Sequence, residues 1–272
     1  MCTINQGEKM DLRVTDTIKK AVRPLIFYKD YSEFDNLDDE IKEEYPYESI
    51  GTGFFLEIRG KFFFVTARHN LRPQHDIQKL RILHSSCHKD PTPKIAKLNP
   101  KGIMVSPEED GSMYQEDYQD IIIIEYPIAN AGEMFGQHCL KYDLNSEDIT
   151  HHHGDQYFVG GYPFEMIEHC NRQFFKGAIL YLTGSKIAWK GKHDPFMFQL
   201  EIESSSEIDF NGISGSPVLK VSQSNPDTIK VIGMVIRGSS EQNIIHFVSI
   251  EVAAQLAEIG EKNQPPDSES TY

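Results

Sequence analysis

The chain has 272 residues, 39% of them hydrophobic and 11% aromatic, enough for one large domain or two fused small ones around a substantial core. Lys and Arg number 27 against 41 Asp and Glu, and the formal charge of −14 repels phosphate backbones and anionic lipid, so neither nucleic acid nor a membrane surface is expected as a partner. The opening residues are polar, and no stretch approaches the roughly 20 apolar residues that span a bilayer, so a soluble, cytoplasmic protein is expected.

With 16 Phe and 12 Tyr, the composition suits strands better than helical bundles. Residues 1–20 are polar with one weak helical pattern, and folded structure is expected to begin with a strand over Val22–Tyr28. Asp30–Glu44 carries a dense run of acids that reads as a solvated loop or short helix. Ile50–Phe55, a turn at Arg59 and Gly60, and Phe62–Thr66 form a hairpin.

Further strands are expected over Leu80–Leu83, Ile95–Leu98, Ile121–Tyr126, Gln156–Gly160, Gln173–Leu182, Met197–Glu203, Pro217–Val221, Ile229–Ile236 and Ile244–Ile250. Short strands separated by turn signals point to a sandwich or barrels. Only Glu251–Ile259 has a convincing helical period, and the polar tail from Glu261 reads as frayed.

Three segments carry chemistry. Phe62-Phe63-Phe64-Val65-Thr66-Ala67-Arg68-His69 is a buried strand ending in a small-residue turn that presents an imidazole. In Tyr118-Gln119-Asp120-Ile121-Ile122-Ile123-Ile124 a carboxylate immediately precedes a central strand, where it needs hydrogen-bond partners to offset its desolvation. Phe210-Asn211-Gly212-Ile213-Ser214-Gly215-Ser216-Pro217 is a glycine-rich turn leading into a strand, with glycines on both sides of Ser214. Each has an ordinary structural explanation when taken alone: a hydrogen-bonding histidine, a strand-capping acid, a Ser-rich turn.

In the order His, Asp, Ser, and with the patterns T-A-x-H, D-I and G-x-S-G-S-P, the three segments resemble the trypsin-like, chymotrypsin-fold serine peptidases, in a divergent form like the intracellular bacterial members. The resemblance runs from about Val22 to Leu256. It implies an all-β fold of two antiparallel six-stranded β-barrels with a C-terminal helix. The polar N-terminal segment would span 1–20, the first barrel 21–145 with His69 and Asp120, the second barrel 146–260 with Ser214 and the helix, and a flexible tail 261–272.

It also implies a peptide-bond hydrolase that needs no cofactor and no metal and acts on a protein or peptide substrate. Ser214 would be the nucleophile, His69 the general base and Asp120 the group that holds the imidazole tautomer. The backbone N–H groups of Gly212 and Ser214 would form the oxyanion hole. Ile236 and Gly238 would bond the substrate backbone, and Ile208 would lie at the base of a specificity pocket with Asn211, Arg237 and His246 around it. Ile208 offers no carboxylate for a basic side chain, and Arg237 and His246 would favour an acidic or polar residue there. Ile213 stands where the secreted members carry an Asp that pairs with a newly cut N-terminus, so that activation route is not expected.

Other constellations are weaker. His151, His152 and His153 with Asp155 invite a metal, but adjacent residues of an extended chain cannot all face one ion. Gly160-Gly161-Tyr162-Pro163 lacks the Gly-Lys-Ser/Thr ending of a phosphate loop. Cys2, Cys87, Cys139 and Cys170 show no Cys-x-x-Cys pairing and read as free thiols of a reducing compartment. Two alternatives to a constitutive peptidase stay open: a catalytically silent protein-binding module on the same fold, and a latent protease switched on by a regulatory protein partner, with the acidic segment 30–44 gating the cleft.

Overall fold

The computed structural model describes residues 11–28, 38, 47–71, 77–84, 94–97, 100–105, 119–127, 139–142, 152–170, 175–189, 195–203 and 209–263. The expectation for segment 30–44 and the residues Cys2, Cys87, His151 and Ile208 lie outside them, Asp38 alone excepted.

Folded structure begins earlier than Val22. A helix over Leu12–Ala21 (α1) is capped by the Asp11 carboxylate, which accepts from the Arg13 amide. Val14, Ile18 and Ala21 fall on one side of it and are buried, while Lys19 and Lys20 complement the C-terminal end of its dipole. This apolar stripe of three residues, diluted by charges, is enough to hold the helix once it packs against the rest of the chain.

Eight strands form the first sheet: Val22–Tyr28 (β1), Tyr47–Ile58 (β2), Lys61–Ala67 (β3), Arg81–His84 (β4), Lys94–Lys97 (β5), Gly102–Val105 (β6), Ile121–Tyr126 (β7) and Leu140–Tyr142 (β8). Their order is β5-β4-β1-β2-β3-β7-β6, with β8 parallel to β2 off that path. The first unit therefore has eight strands where six were expected, and among the described residues no pairing joins β5 to β6 to close it. One of the two added strands, β8, has a simple cause: β2 runs on past the end of β1 at Val22↔Phe54, leaving Leu56, Glu57 and Ile58 to pair with it. At the β2–β3 turn, Arg59 and Gly60 both have positive φ, 51° and 76°, the two-residue geometry that suits strand twist.

The second unit is a closed antiparallel barrel. Its strands are drawn from Gln156–Gly161 (β9), Leu180–Trp189 (β12), Met197–Ile202 (β13), Pro217–Ser222 (β14), Asn225–Ser239 (β15) and Ile244–Ser249 (β16), in the order β12-β13-β16-β15-β14-β9. Ile167–Cys170 (β10) and Phe175–Gly177 (β11) make a separate two-stranded ribbon. The single strand expected over Gln173–Leu182 is thus split, because the Ala178 amide turns back to the Met166 carbonyl at 3.0 Å. A C-terminal helix, Ile250–Asn263 (α2), runs beyond the expected Ile259, and Glu261, expected in a frayed tail, makes ion pairs with Lys61 and Arg59.

Three apolar clusters hold the layers together. Leu25, Phe55, Phe64, Ile122 and Ile124 fill one face of the first sheet, with the Phe55 and Phe64 rings edge to face at 5.2 Å. Tyr157, Leu182, Leu200, Val235 and Phe247 fill the barrel. The third cluster joins the other face of the sheet to the barrel and both helices, through Phe54, Val65, Ile121, Ile123, Leu219, Met234, Ile18 and Leu256. Alternate residues of β7 enter different clusters, so the four consecutive isoleucines are all buried. Each such side chain contributes about 1.5–3 kcal/mol on removal from water. The two units are consequently fixed against each other by a shared core, and the cleft between them is rigidly framed.

Candidate active site

The register of one strand pair builds half of the site. β3 and β7 pair with Ala67 opposite Ile121, so the residues after β3 and before β7 emerge side by side. The Arg68 amide donates to the Asp120 carbonyl at 3.1 Å, and the chain turns tightly through Arg68–Asn70. His69 then meets Asp120 twice: its amide donates to Oδ1 at 2.9 Å, and ring Nδ1 lies 2.5 Å from Oδ2. A carboxylate acceptor at this distance pairs with a proton on Nδ1, and among the described residues Nε2 makes no hydrogen bond. The imidazole is half-exposed and the carboxylate a quarter exposed.

The other half is the loop 209–216 that leads into β14. Gly212 has φ 96°, and a β-carbon there would lie 2.8 Å from the Tyr162 carbonyl and 2.9 Å from the Phe164 amide, so only glycine fits. Gly215 has φ 90°, and a β-carbon there would overlap the Thr52 carbonyl at 1.9 Å. Glycine at these two positions lets the loop pass directly over the first sheet.

The loop's peptide planes are set by their carbonyls. The Asn211 carbonyl accepts from the Phe164 amide at 2.9 Å and the Ile213 carbonyl from the Ser216 amide at 2.9 Å. In a trans peptide the N–H points opposite to the C=O, so these bonds fix the directions of the Gly212 and Ser214 N–H groups. Neither of those two amides donates to a backbone carbonyl among the described residues.

Residues of the first sheet hold this loop. Thr52 Oγ1 donates to the Gly212 carbonyl at 2.8 Å and accepts from the Tyr162 amide at 2.9 Å. The Thr52 amide and Asn70 Nδ2 both donate to the Ser214 carbonyl, at 3.2 and 2.8 Å. Thr66 Oγ1 donates to the Thr52 carbonyl and accepts from Asn70 Nδ2, which completes the network. Thr52, Thr66 and Asn70 are all buried. The sequence patterns gave none of the three a role, although Thr66 opens the T-A-x-H pattern, Thr52 lies inside Gly51-Thr52-Gly53 and Asn70 directly follows His69.

His69, Asp120 and Ser214 line one cleft of about 360 Å³, with Asn211, Ile236, Arg237, Gly238 and Phe210 as its remaining walls. Ser214 Oγ donates to the Ile236 carbonyl at 3.0 Å and makes no hydrogen bond to His69 among the described residues. Seven expected residues thus meet at the cleft, while Gly212, of the same loop as Ser214, is buried beside it and is not one of its walls. His246 stands apart from those walls: on β16 it pairs across the ladder with Arg237, on the outer side of the barrel from Ile245 and Phe247. Ile213, expected to lack the role of a charged switch, is buried in the barrel core.

Elsewhere the chemistry is structural. Gly160 and Gly161 end strand β9, which contributes no phosphate loop. Asp155 does not serve a histidine cluster. Its carboxylate, fully buried, pairs with Lys220 Nζ at 2.8 Å and accepts from the His152 and Gln223 amides. Burial pushes that carboxyl up, but the Lys220 ammonium and the two amides outweigh it and hold it at about 2. Burial pushes the Cys139 thiol up to about 12, which leaves little reactive thiolate near neutral pH. Among the described residues no group of three His, Cys, Asp or Glu side chains could hold a metal ion, and no helix is long and apolar enough to cross a membrane.

Compared with known proteins, the chain matches no protein-family model and no curated protein.

Proposed function

We propose that the chain is a trypsin-like serine endopeptidase that cleaves peptide bonds through an acyl-enzyme on Ser214. The observation that carries this reading is the oriented His69–Asp120 pair lining the same cleft as Ser214, whose amide and that of Gly212 donate to no backbone carbonyl among the described residues.

The chemistry follows from those groups. As Ser214 Oγ bonds to the substrate carbonyl carbon, its proton passes to His69 Nε2, and the Gly212 and Ser214 amides receive the charge that develops on oxygen. The C–N bond then breaks, and the amine leaves with the proton from Nε2. Water attacks the ester, gives its proton to Nε2, and the proton returns to Oγ as the acid departs. Asp120 keeps Nδ1 protonated throughout and stabilises the imidazolium without taking its proton. A preorganised donor of the oxyanion type contributes about 2.7–4 kcal/mol.

One observation favours a partner- or substrate-gated form of the same enzyme. The Ser214 hydroxyl is engaged by the Ile236 carbonyl, so it must rotate toward His69 before attack. An oxygen that gains a substrate N–H has less hold on that hydroxyl. The function is tested by incubating a mixed peptide library with the native chain and with Ser214→Ala, and sequencing new termini by mass spectrometry. New termini produced by the native chain alone support the reading; identical products from both chains refute it.

A further inference from the structure

The cleft beside Ser214 is closed on one side by an aromatic residue of the barrel itself. Pairing of β14 with β15 ends at Pro217↔Met234, and the last rungs beyond it are Gly215 N–H to the Val235 carbonyl and Val235 N–H to the Ser216 carbonyl. Arg237, Gly238 and Ser239 pair with β16, Ile236 sits at a register shift, and among the described residues no strand pairs with the other edge of this segment, which runs along the cleft. An extended peptide can add to such an edge as a further strand.

What that strand's side chains would meet is set by Gly238. It pairs with Ile245, whose side chain is in the barrel core, so a β-carbon on Gly238 would face the same way. Such an atom would lie 2.9 Å from Phe210 Cδ2 and 3.4 Å from Ile245 Cγ1. The Phe210 ring thus rests on the Cα of Gly238, filling the space between residues 209–211 and the strand. Phe210 is only 3% exposed and packs in the same cluster as Ile213, Val235 and Ile245, and its carbonyl accepts from the Ile213 amide at 3.1 Å. It is part of the core and has little freedom to swing away.

Alternate side chains of an extended peptide share one face. The residue opposite Gly238, and the one two positions nearer Ser214, would therefore both point at the Phe210 ring. We infer that Phe210 restricts the residue whose carbonyl Ser214 attacks to Gly, Ala or Ser, which rests on the peptidase reading above. Arg237, on the opposite, exposed side of the strand, does not face that residue. The substrate class is a chain cleaved after a small residue, not after a basic, acidic or aromatic one.

Peptidyl diphenyl phosphonates test this directly, because Ser214 Oγ would bond to phosphorus while a P–O bond to phenol breaks and phenol departs with the hydroxyl proton. Two probes that differ only in carrying the alanine or the phenylalanine analogue next to phosphorus are compared on the native full chain, on Phe210→Ala and on Phe210→Val, the last retaining more of the core. The native chain is expected to label at least ten-fold faster with the alanine probe, and in the smaller variants that ratio falls at least ten-fold. Equal labelling of the native chain by both probes overturns the inference alone and leaves the peptidase reading standing. Absence of labelling by both, and by a small fluorophosphonate, overturns the peptidase reading and the inference with it.

Discussion

Asn70, the residue directly after His69, donates from Nδ2 to the carbonyl of Ser214 at 2.8 Å, so one side chain ties the strand end that presents the imidazole to the loop that presents the hydroxyl. The Ser214 carbonyl also accepts from the Thr52 amide, and Thr52 Oγ1 secures Gly212 two residues earlier. The relative position of the His69 imidazole, the Ser214 hydroxyl and the Gly212 and Ser214 amides is thereby set from the first sheet, across the shared core.

Two substitutions separate holding the loop from holding the fold. Asn70→Leu leaves the Ser214 carbonyl with its Thr52 partner, so stability falls by only about 0.5–1.5 kcal/mol, while the fluorophosphonate labelling rate falls at least ten-fold. Thr52→Val strands the Gly212 carbonyl and the Tyr162 amide in a buried setting, and stability falls by about 1–3 kcal/mol for each. Urea midpoints measured beside labelling rates distinguish the two: equal losses of stability would show that Asn70 is merely structural.

Asp120→Asn replaces an acceptor with a group that can also donate to Nδ1, which favours the wrong imidazole tautomer. Catalytic rate should drop about ten-thousand-fold, with the Michaelis constant changing far less. A loss confined to the Michaelis constant would remove Asp120 from the catalytic machinery.

The Asp155–Lys220 pair makes stability depend on acid. Its carboxyl sits at about 2 in the folded chain, below the roughly 3.9 of an unfolded aspartate, so the stabilisation is complete above about pH 4 and is lost as pH falls toward 2. The lost contribution is about 2.5 kcal/mol. Asp155→Asn leaves Lys220 buried without its carboxylate and should cost about 3–5 kcal/mol at neutral pH, with a shallower decline into acid. Urea unfolding from pH 6 to pH 2 checks this; parallel stability curves for the two chains would show that the carboxylate is not what titrates.

What was legible in the sequence is what local chemistry dictates. Ile121–Ile124 announced a central strand, Arg59-Gly60 announced a hairpin turn, and the glycines around Ser214 announced a loop with unusual backbone angles. His69 and Asp120 stood at strand ends where a simple register brings them together. Leu140–Tyr142 escaped notice because three residues with one exposed lysine carry no periodic signal, and its partner is the overhang of a strand far away in the chain. The helix over Leu12–Ala21 was faint because its apolar stripe is interrupted by charges. Thr52 and Asn70 were invisible as site residues: they act on partners 160 and 144 positions away, and nothing local encodes that contact.

The most direct test is to treat the native chain and Ser214→Ala with a fluorophosphonate and locate the adduct by peptide mass spectrometry. A single adduct on Ser214, slowed by Asp120→Asn and absent from the folded alanine variant, is the expected result. A native chain that stays unlabelled, or an adduct that forms at another residue and persists in Ser214→Ala, would contradict the assignment of this cleft as a peptidase active site.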